Sequence, residues 1–347
     1  MRRSSVVAGI GGCTPDRVVT NAELARHFDT TDAWIVSRTG ISARRRVEPG
    51  QSTSDLAVVA GRLALESAGS TDVDMVILAT ATPDRPCPAT APVVAARLGL
   101  GTVPAFDISA VCSGFVYALS VADGMIAAGT AGRVLLIGAD AFSTILDPDD
   151  RATAAVFGDG AGAMVLRAGE PGEPGELLGF DLGADGTQED LITVPAGGSR
   201  RPRRDGVDED DRWFVMRGQA VYRHAVRRMT ATAQSVLALA DWRSGEVDHL
   251  IAHQANARIL ATVGAELGIA PERVYSNIAD VGNTVAASVP LALADAAAAG
   301  VLSRGDRVLL TAFGGGTTWG AAALTWPELV VAARTEAAAR TEGERVL

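Results

Sequence analysis

Cysteine is scarce in this chain of 347 residues: Cys13, Cys87 and Cys112 are its three, with no CxxC and no paired spacing. That pattern argues against a disulfide framework or a zinc site and fits a reducing cytosol. Lysine is absent, so all 31 basic residues are arginines, a bias that the codon usage of a GC-rich genome explains. Against 41 acidic residues they leave a net charge of −10, which lacks the basic face that general nucleic-acid binding needs. No run of 18 apolar residues occurs, and the apolar stretch after Arg3 is short and glycine-broken. Neither a membrane span nor a signal peptide is expected, and the chain reads as cytoplasmic and unanchored.

What is present is a large apolar fraction, 48% hydrophobic against 21% charged. This is enough to bury a sizeable core in one large or two fused domains. Strand-like and helix-like segments alternate, and the pattern then recurs. VDMVILAT at 73–80 is echoed by VDHLIAHQ at 247–254, GRVLLIGAD at 132–140 by DRVLLTAFG at 306–314, and FGDGAGAMVL at 157–166 by FGGGTTWGAAALTW at 313–326. Three echoes in one order predict an α/β protein of two similar βαβ-rich halves, 1–167 and 176–327, divided at the Gly/Pro/Glu-rich AGEPGEPGE. Residues 197–212, polar and charge-segregated, predict an exposed loop. The tail 328–347 reads as a short helix or a frayed end.

Cys112 stands between a strand-like run ending at Ile108 and a helix predicted over 113–128. A thiol at a helix N-terminus meets unpaired N–H groups and the positive end of the helix dipole, which favours the thiolate and makes it a candidate nucleophile. The same residue type is often just a small buried apolar group. Of the four histidines, His253 is the best placed, at the end of the strand HLIA, where α/β proteins collect their chemistry; it also reads as an ordinary satisfied polar residue. Asn283 in GNTVAAS is first a helix cap, and its amide is also a donor suited to an oxyanion. In FGGGTTWG, three glycines permit close backbone approach and aimed N–H groups. Neither GxxxxGK[ST] nor GxGxxG is formed there, so nucleotide binding is not supported.

Taken together, AVCSGF around Cys112, HQANARI around His253, GNTVAAS around Asn283 and the late FGGGTTWG resemble the signatures of the 3-ketoacyl-acyl carrier protein synthase III family. FGDGAGA and the early DTTDAWIVSRTGI match as well, and the likeness runs from about residue 6 to 326. It implies the thiolase fold, two similar five-stranded sheets in a layered αβαβα arrangement, assembled as a homodimer. Thiolases use a second, late cysteine, and none follows Cys112.

The resemblance implies that Cys112 is acylated by an acyl-CoA, with the N–H groups of Cys112 and Gly315 as oxyanion hole. His253 and Asn283 would stabilise the enolate of malonyl-acyl carrier protein as it loses carbon dioxide and attacks the acyl group, with no metal or other cofactor. It places Trp34, Arg38, Arg151, Gly218, Asn256 and Phe313 against coenzyme A and substrate. Arg223 and Arg258 fall at carrier-protein docking positions, although a lysine pair of familiar members is replaced here by Ala265 and Glu266. Phe157, Met216 and Tyr222 belong to the implied acyl pocket. So does Cys87, which stands where a phenylalanine of familiar members reaches across the dimer, so that a deeper pocket is expected unless neighbours refill it. Three readings stay open besides priming of fatty-acid synthesis: a starter-unit ketosynthase for polyketides, an acyltransferase to oxygen or nitrogen, and a non-catalytic acyl-binding subunit.

Overall fold

Runs of valine, leucine and isoleucine bounded by charged or glycine residues become the strands of two sheets, and the echoed runs occupy equivalent places in them. A computed structural model describes residues 3–202 and 208–337. Its longer elements in the first half are β1 (Ser4–Pro15), α1 (Asp32–Thr39), α2 (Thr53–Ser67), β2 (Met75–Ala79), α3 (Ala91–Arg97), β3 (Ala105–Ile108), α4 (Gly114–Ala127), β4 (Arg133–Asp140) and β5 (Gly160–Gly169). The second half runs β6 (Leu177–Ala184), α5 (Gly218–Leu239), β7 (His249–Ala252), α6 (Ala257–Leu267), α7 (Ser288–Ala298), β8 (Arg307–Gly314) and β9 (Thr318–Thr325).

In the first sheet β2 pairs in parallel with β4, β4 antiparallel with β5, and β5 antiparallel with β1. The second repeats this with β7 parallel to β8, β8 antiparallel to β9, and β9 antiparallel to β6. The chain changes sheet across 170–176, within the glycine- and proline-rich segment that suggested a boundary.

The strands are buried on both faces, and their period of two sorts side chains between different layers. Val76 and Leu78 pack outward with Leu56, Ala60 and Ala64 of α2, whereas Ile77 packs inward with Phe115 and Leu119 of α4 and Val289 and Leu293 of α7. In the second half Leu250 faces Met229 and Val236 of α5 and Val263 of α6, while Ile251 joins the central layer. The order is helix, sheet, helix pair, sheet, helix. The central helices α4 and α7 are apolar nearly all round, as a helix between two sheets must be. Glycines let α7 approach closely: a Cβ on Gly138 would strike the Ala286 carbonyl, and one on Gly162 the backbone of Pro290 and Leu291.

Two expectations need correction. Among the described residues the second sheet has four strands instead of five, with a single parallel bridge between Leu250 and Val274 where a counterpart of β3 would pair. Past that bridge the Gln254 side-chain oxygen accepts from the Ser276 hydroxyl and the Asn277 N–H. The tail is neither helical nor frayed at its start: Thr335–Ala337 forms β10, parallel to Cys13–Pro15, as a sixth strand of the first sheet. Arg334 sets it there by pairing with Asp295 of α7. The rest of the tail, 338–347, and the centre of the charge-segregated loop, 203–207, lie outside the described residues. Among the described residues no helix is long and apolar enough to cross a membrane.

Candidate active site

The nucleophile turn is built where β3 gives way to α4. Ile108 ends the strand, a single 3₁₀ turn spans Val111–Ser113, and α4 follows from Gly114. Val111 has φ 47°, a left-handed conformation that β-branched residues rarely adopt. The late glycine turn packs straight onto this one: a Cβ on Gly314 would lie 2.8 Å from the Cys112 nitrogen and 2.9 Å from the Ala110 oxygen. Thr318 completes the link, its hydroxyl meeting the Ser113 hydroxyl at 2.7 Å. The two halves are thus joined at the residue carrying the thiol.

His253 directly follows β7, and its N–H donates to the Thr311 carbonyl at 2.8 Å. Asn283 bridges to Phe157, donating its N–H to Val156 and accepting from Gly158 through its carbonyl. Its side-chain oxygen accepts the Val285 N–H at 3.0 Å, much as a cap would, and this assigns the amide NH2 to the other side, toward the cavity. Cys112, His253 and Asn283 line one cavity of about 670 Å³. They arrive there from three separated segments.

Burial dominates the electrostatics. It pushes the Cys112 thiol well above its ordinary value, and the Asp140 carboxylate acts in the same direction; the residue's own N–H opposes them. The expectation of a thiolate near neutral pH is corrected on this ground: in the free protein, loss of hydration outweighs the helix terminus. Burial likewise pulls His253 down to about 3, so its imidazole is neutral at working pH. Alkylation of Cys112 by iodoacetamide should therefore accelerate steadily between pH 7 and 9, and a plateau below pH 7 would show that the helix terminus prevails.

Asp140, which the sequence reading missed, ends β4 at the junction of the halves. One of its oxygens accepts from the Ala81 N–H at 2.7 Å and from Thr80 and Thr82, and the other accepts from the Ala286 N–H at 2.9 Å. Burial still pushes this carboxyl up to about 6. It pins the loop after Asn283 to the first sheet. Its signal in the sequence was only a carboxylate at a strand end.

The cavity has an apolar arm and a cationic mouth. Phe142, Phe157 and Phe214 stack in a triad with centroids 4.9–5.1 Å apart, and they pack with Cys112 and Met216. Phe142 and Phe214 were also unforeseen. At the mouth, the guanidinium groups of Arg38 and Arg151 lie 5.8 and 5.0 Å from the ring centroid of Trp34. Asn256 caps α6 through its oxygen, and its NH2 donates to the Arg38 carbonyl at 3.0 Å. Gly218, Tyr222, Arg223, Arg258 and Phe313 line the cavity as well.

Three residues fall elsewhere. Arg151 does not line the cavity; it reaches the site only through Trp34, with a further bond to the Asp29 carbonyl. Gly315 is buried and is not one of the lining residues, but it sits directly against Val111 and Ile192, which are. Cys87 is exposed and does not line this chain's cavity. Its loop is held to the outside of the first half, with Asp84 donating its N–H to the Thr90 hydroxyl and accepting the Ser54 N–H.

Comparison with known proteins places this arrangement. Residues 106–186 match the family model described as 3-oxoacyl-[acyl-carrier-protein (ACP)] synthase III, and residues 237–326 match the model of its C-terminal part. A β-ketoacyl-[acyl-carrier-protein] synthase III of Streptomyces coelicolor is 62% identical over 330 residues, covering 94% of this chain and 98% of the relative. The crystal structure of 3-oxoacyl-(acyl carrier protein) synthase III from Pseudomonas aeruginosa superposes with a TM-score of 0.89 at 50% identity, over 94% of this chain and all of that one. The priming β-ketosynthase from the R1128 polyketide biosynthetic pathway gives 0.88 at 33% identity, over 94% and 97% of the two chains.

Proposed function

The chain belongs to the 3-oxoacyl-[acyl-carrier-protein] synthase III family and is an acyl-transferring condensing enzyme; we propose that its reaction runs through Cys112, His253 and Asn283. The observation carrying this reading is that the three side chains open onto one cavity from different segments. Cys112 attacks the thioester carbonyl of an acyl-CoA, coenzyme A leaves with the thiol proton, and an acyl-enzyme remains. The N–H groups of Cys112 and Gly315 receive the oxyanion, and the contact of Gly314 with the Cys112 backbone supports that role.

Malonyl-acyl carrier protein then enters. Neutral His253 and the Asn283 amide donate to its thioester carbonyl, so the enolate formed as carbon dioxide departs is held by two hydrogen bonds. Its carbon attacks the acyl-Cys112 carbonyl, and the cysteine sulfur leaves and is reprotonated. The product is a 3-oxoacyl thioester on the carrier. Decarboxylation supplies the carbanion, so neither metal nor redox cofactor enters. Trp34, with Arg38 and Arg151 at 5.8 and 5.0 Å from its ring centroid, suits the adenine and phosphates of coenzyme A. Arg223 and Arg258 suit an acidic carrier at the mouth. We assign the enzyme to the cytoplasm and to a homodimer. Incubation with an acyl-CoA should add the acyl mass to the Cys112 peptide, and subsequent malonyl-acyl carrier protein should release carbon dioxide and free that peptide. An unmodified Cys112 would refute the reading.

The apolar arm behind Cys112 suits an acyl chain longer than acetyl. Cys87 bears on its depth only through a partner subunit. If the homodimer carries Cys87 to the partner's cavity, Cys87→Phe should narrow the accepted acyl-CoA range toward acetyl. An unchanged chain-length profile would remove Cys87 from the pocket.

A further inference from the structure

Ser288, the first residue of α7, meets His253 and does not itself line the cavity. Its hydroxyl oxygen lies 2.5 Å from Nδ1 of the imidazole, and both residues are buried, 1% and 2% exposed. A neutral imidazole carries one N–H, and whichever nitrogen is engaged from behind decides what the other offers in front. Two arrangements are possible here. Either the Ser288 hydroxyl donates to a bare Nδ1, leaving Nε2–H to face the cavity, or Nδ1–H donates to the hydroxyl and a bare Nε2 faces it.

The surroundings choose between them. Among the described residues the Ser288 hydroxyl has no hydrogen-bond partner except His253, so its hydrogen has one acceptor available, the Nδ1 lone pair. The opposite arrangement would leave a buried hydroxyl hydrogen unpaired, which folded proteins avoid.

We propose that Ser288 is a positioning residue for the condensation step: it donates to Nδ1, fixes the Nε2–H tautomer of His253, and so makes the imidazole a hydrogen-bond donor to the malonyl thioester carbonyl. The proposal rests on the reading of His253 and Asn283 given above, and it adds a residue that touches neither substrate nor thiol. Ser288 links the start of a central helix to a strand end that would otherwise hold a freely rotating ring. Its loss should therefore separate the two half-reactions.

The test combines a spectrum with kinetics. In 15N-histidine-labelled protein, with only four histidines to resolve, the wild-type His253 signals should show protonated Nε2 and unprotonated Nδ1. A protonated Nδ1 would overturn the proposal without any variant being made. With acetyl-CoA and malonyl-acyl carrier protein, Ser288→Ala should lower the decarboxylation and condensation rate roughly 10- to 100-fold, as loss of an outer partner does for a ligating histidine. Acylation of Cys112 should change less than about threefold, because Nδ1 and its tautomer are not used in that step. Ser288→Thr, which keeps the hydroxyl, should restore most of the rate and the wild-type tautomer signature. Equal losses in both half-reactions, or no rescue by threonine in a folded protein, would reduce Ser288 to a packing residue. If wild-type protein took up acetyl but never released carbon dioxide, the parent reading would fail instead, with the tautomer still measured independently.

Discussion

Cys112→Ala protein should accept no acyl group from acyl-CoA, and condensation should fall by about 10⁴-fold or more, the scale seen when a covalent nucleophile is removed. The side chain is small and sits in a turn already shaped by the fold, so the protein should remain folded. His253 and Asn283 stay in place, and slow decarboxylation of malonyl-acyl carrier protein should persist, its enolate taking up a proton for want of an acyl group. Mass spectrometry of the intact protein and a carbon dioxide assay read these two outcomes separately. Persistent acylation elsewhere on the chain would place the nucleophile wrongly.

The second large effect concerns the donors. Removing one donor from a buried oxyanion site typically costs on the order of 10²–10³ in rate. Asn283→Ala and His253→Ala should each lower decarboxylation and condensation by that order, with a far smaller effect on acyl transfer to Cys112. The imidazole is neutral because burial pulls it down to about 3, so wild-type condensation should show no acid limb attributable to His253 between pH 5 and 7. An acid limb near pH 6.5 that disappears in His253→Ala would show that the ring titrates as if in water. Since the Asn283 oxygen is held by the Val285 N–H, Asn283→Asp retains the acceptor but loses the donor. It should be as impaired as the alanine variant.

The repeated strands were legible because apolar runs of fixed length, bounded by charge or glycine, carry their pairing partners in the same order twice. Cys112, His253 and Asn283, the residues proposed to carry the reaction, were legible as candidates for a related reason: each stands in a short, locally determined turn at the end of an element. The rest depended on three-dimensional proximity that no local pattern encodes. Ser288 lies 35 residues from His253 and reads in the sequence as one more small residue in an alanine-rich helix. Asp140 looks like an ordinary polar strand terminus until the Ala286 N–H arrives from the other half. The state of the thiol was misjudged because the helix terminus is visible in the sequence and the depth of burial is not. The strand at Thr335–Ala337 was hidden by an Ala-, Glu- and Arg-rich composition that suggests a helix, while its pairing with Cys13–Pro15 and the adjacent Arg334 pair with Asp295 are long-range.

Val111 is one of three β-branched residues held at positive φ around the site; Val285 at 55° and Thr317 at 39° are the others. One precedes the thiol, one follows the Asn283 turn, and one follows the glycine triplet. Backbone held this way costs about 1–3 kcal/mol per residue, so the three together amount to something on the order of 3–9 kcal/mol. That is comparable with the entire margin of about 5–15 kcal/mol by which a typical domain stays folded. Selection for heat resistance alone would find its easiest gains by relaxing these turns, and would lose the registration of thiol and amide in doing so. A durable variant of this enzyme is better sought in its outer helices.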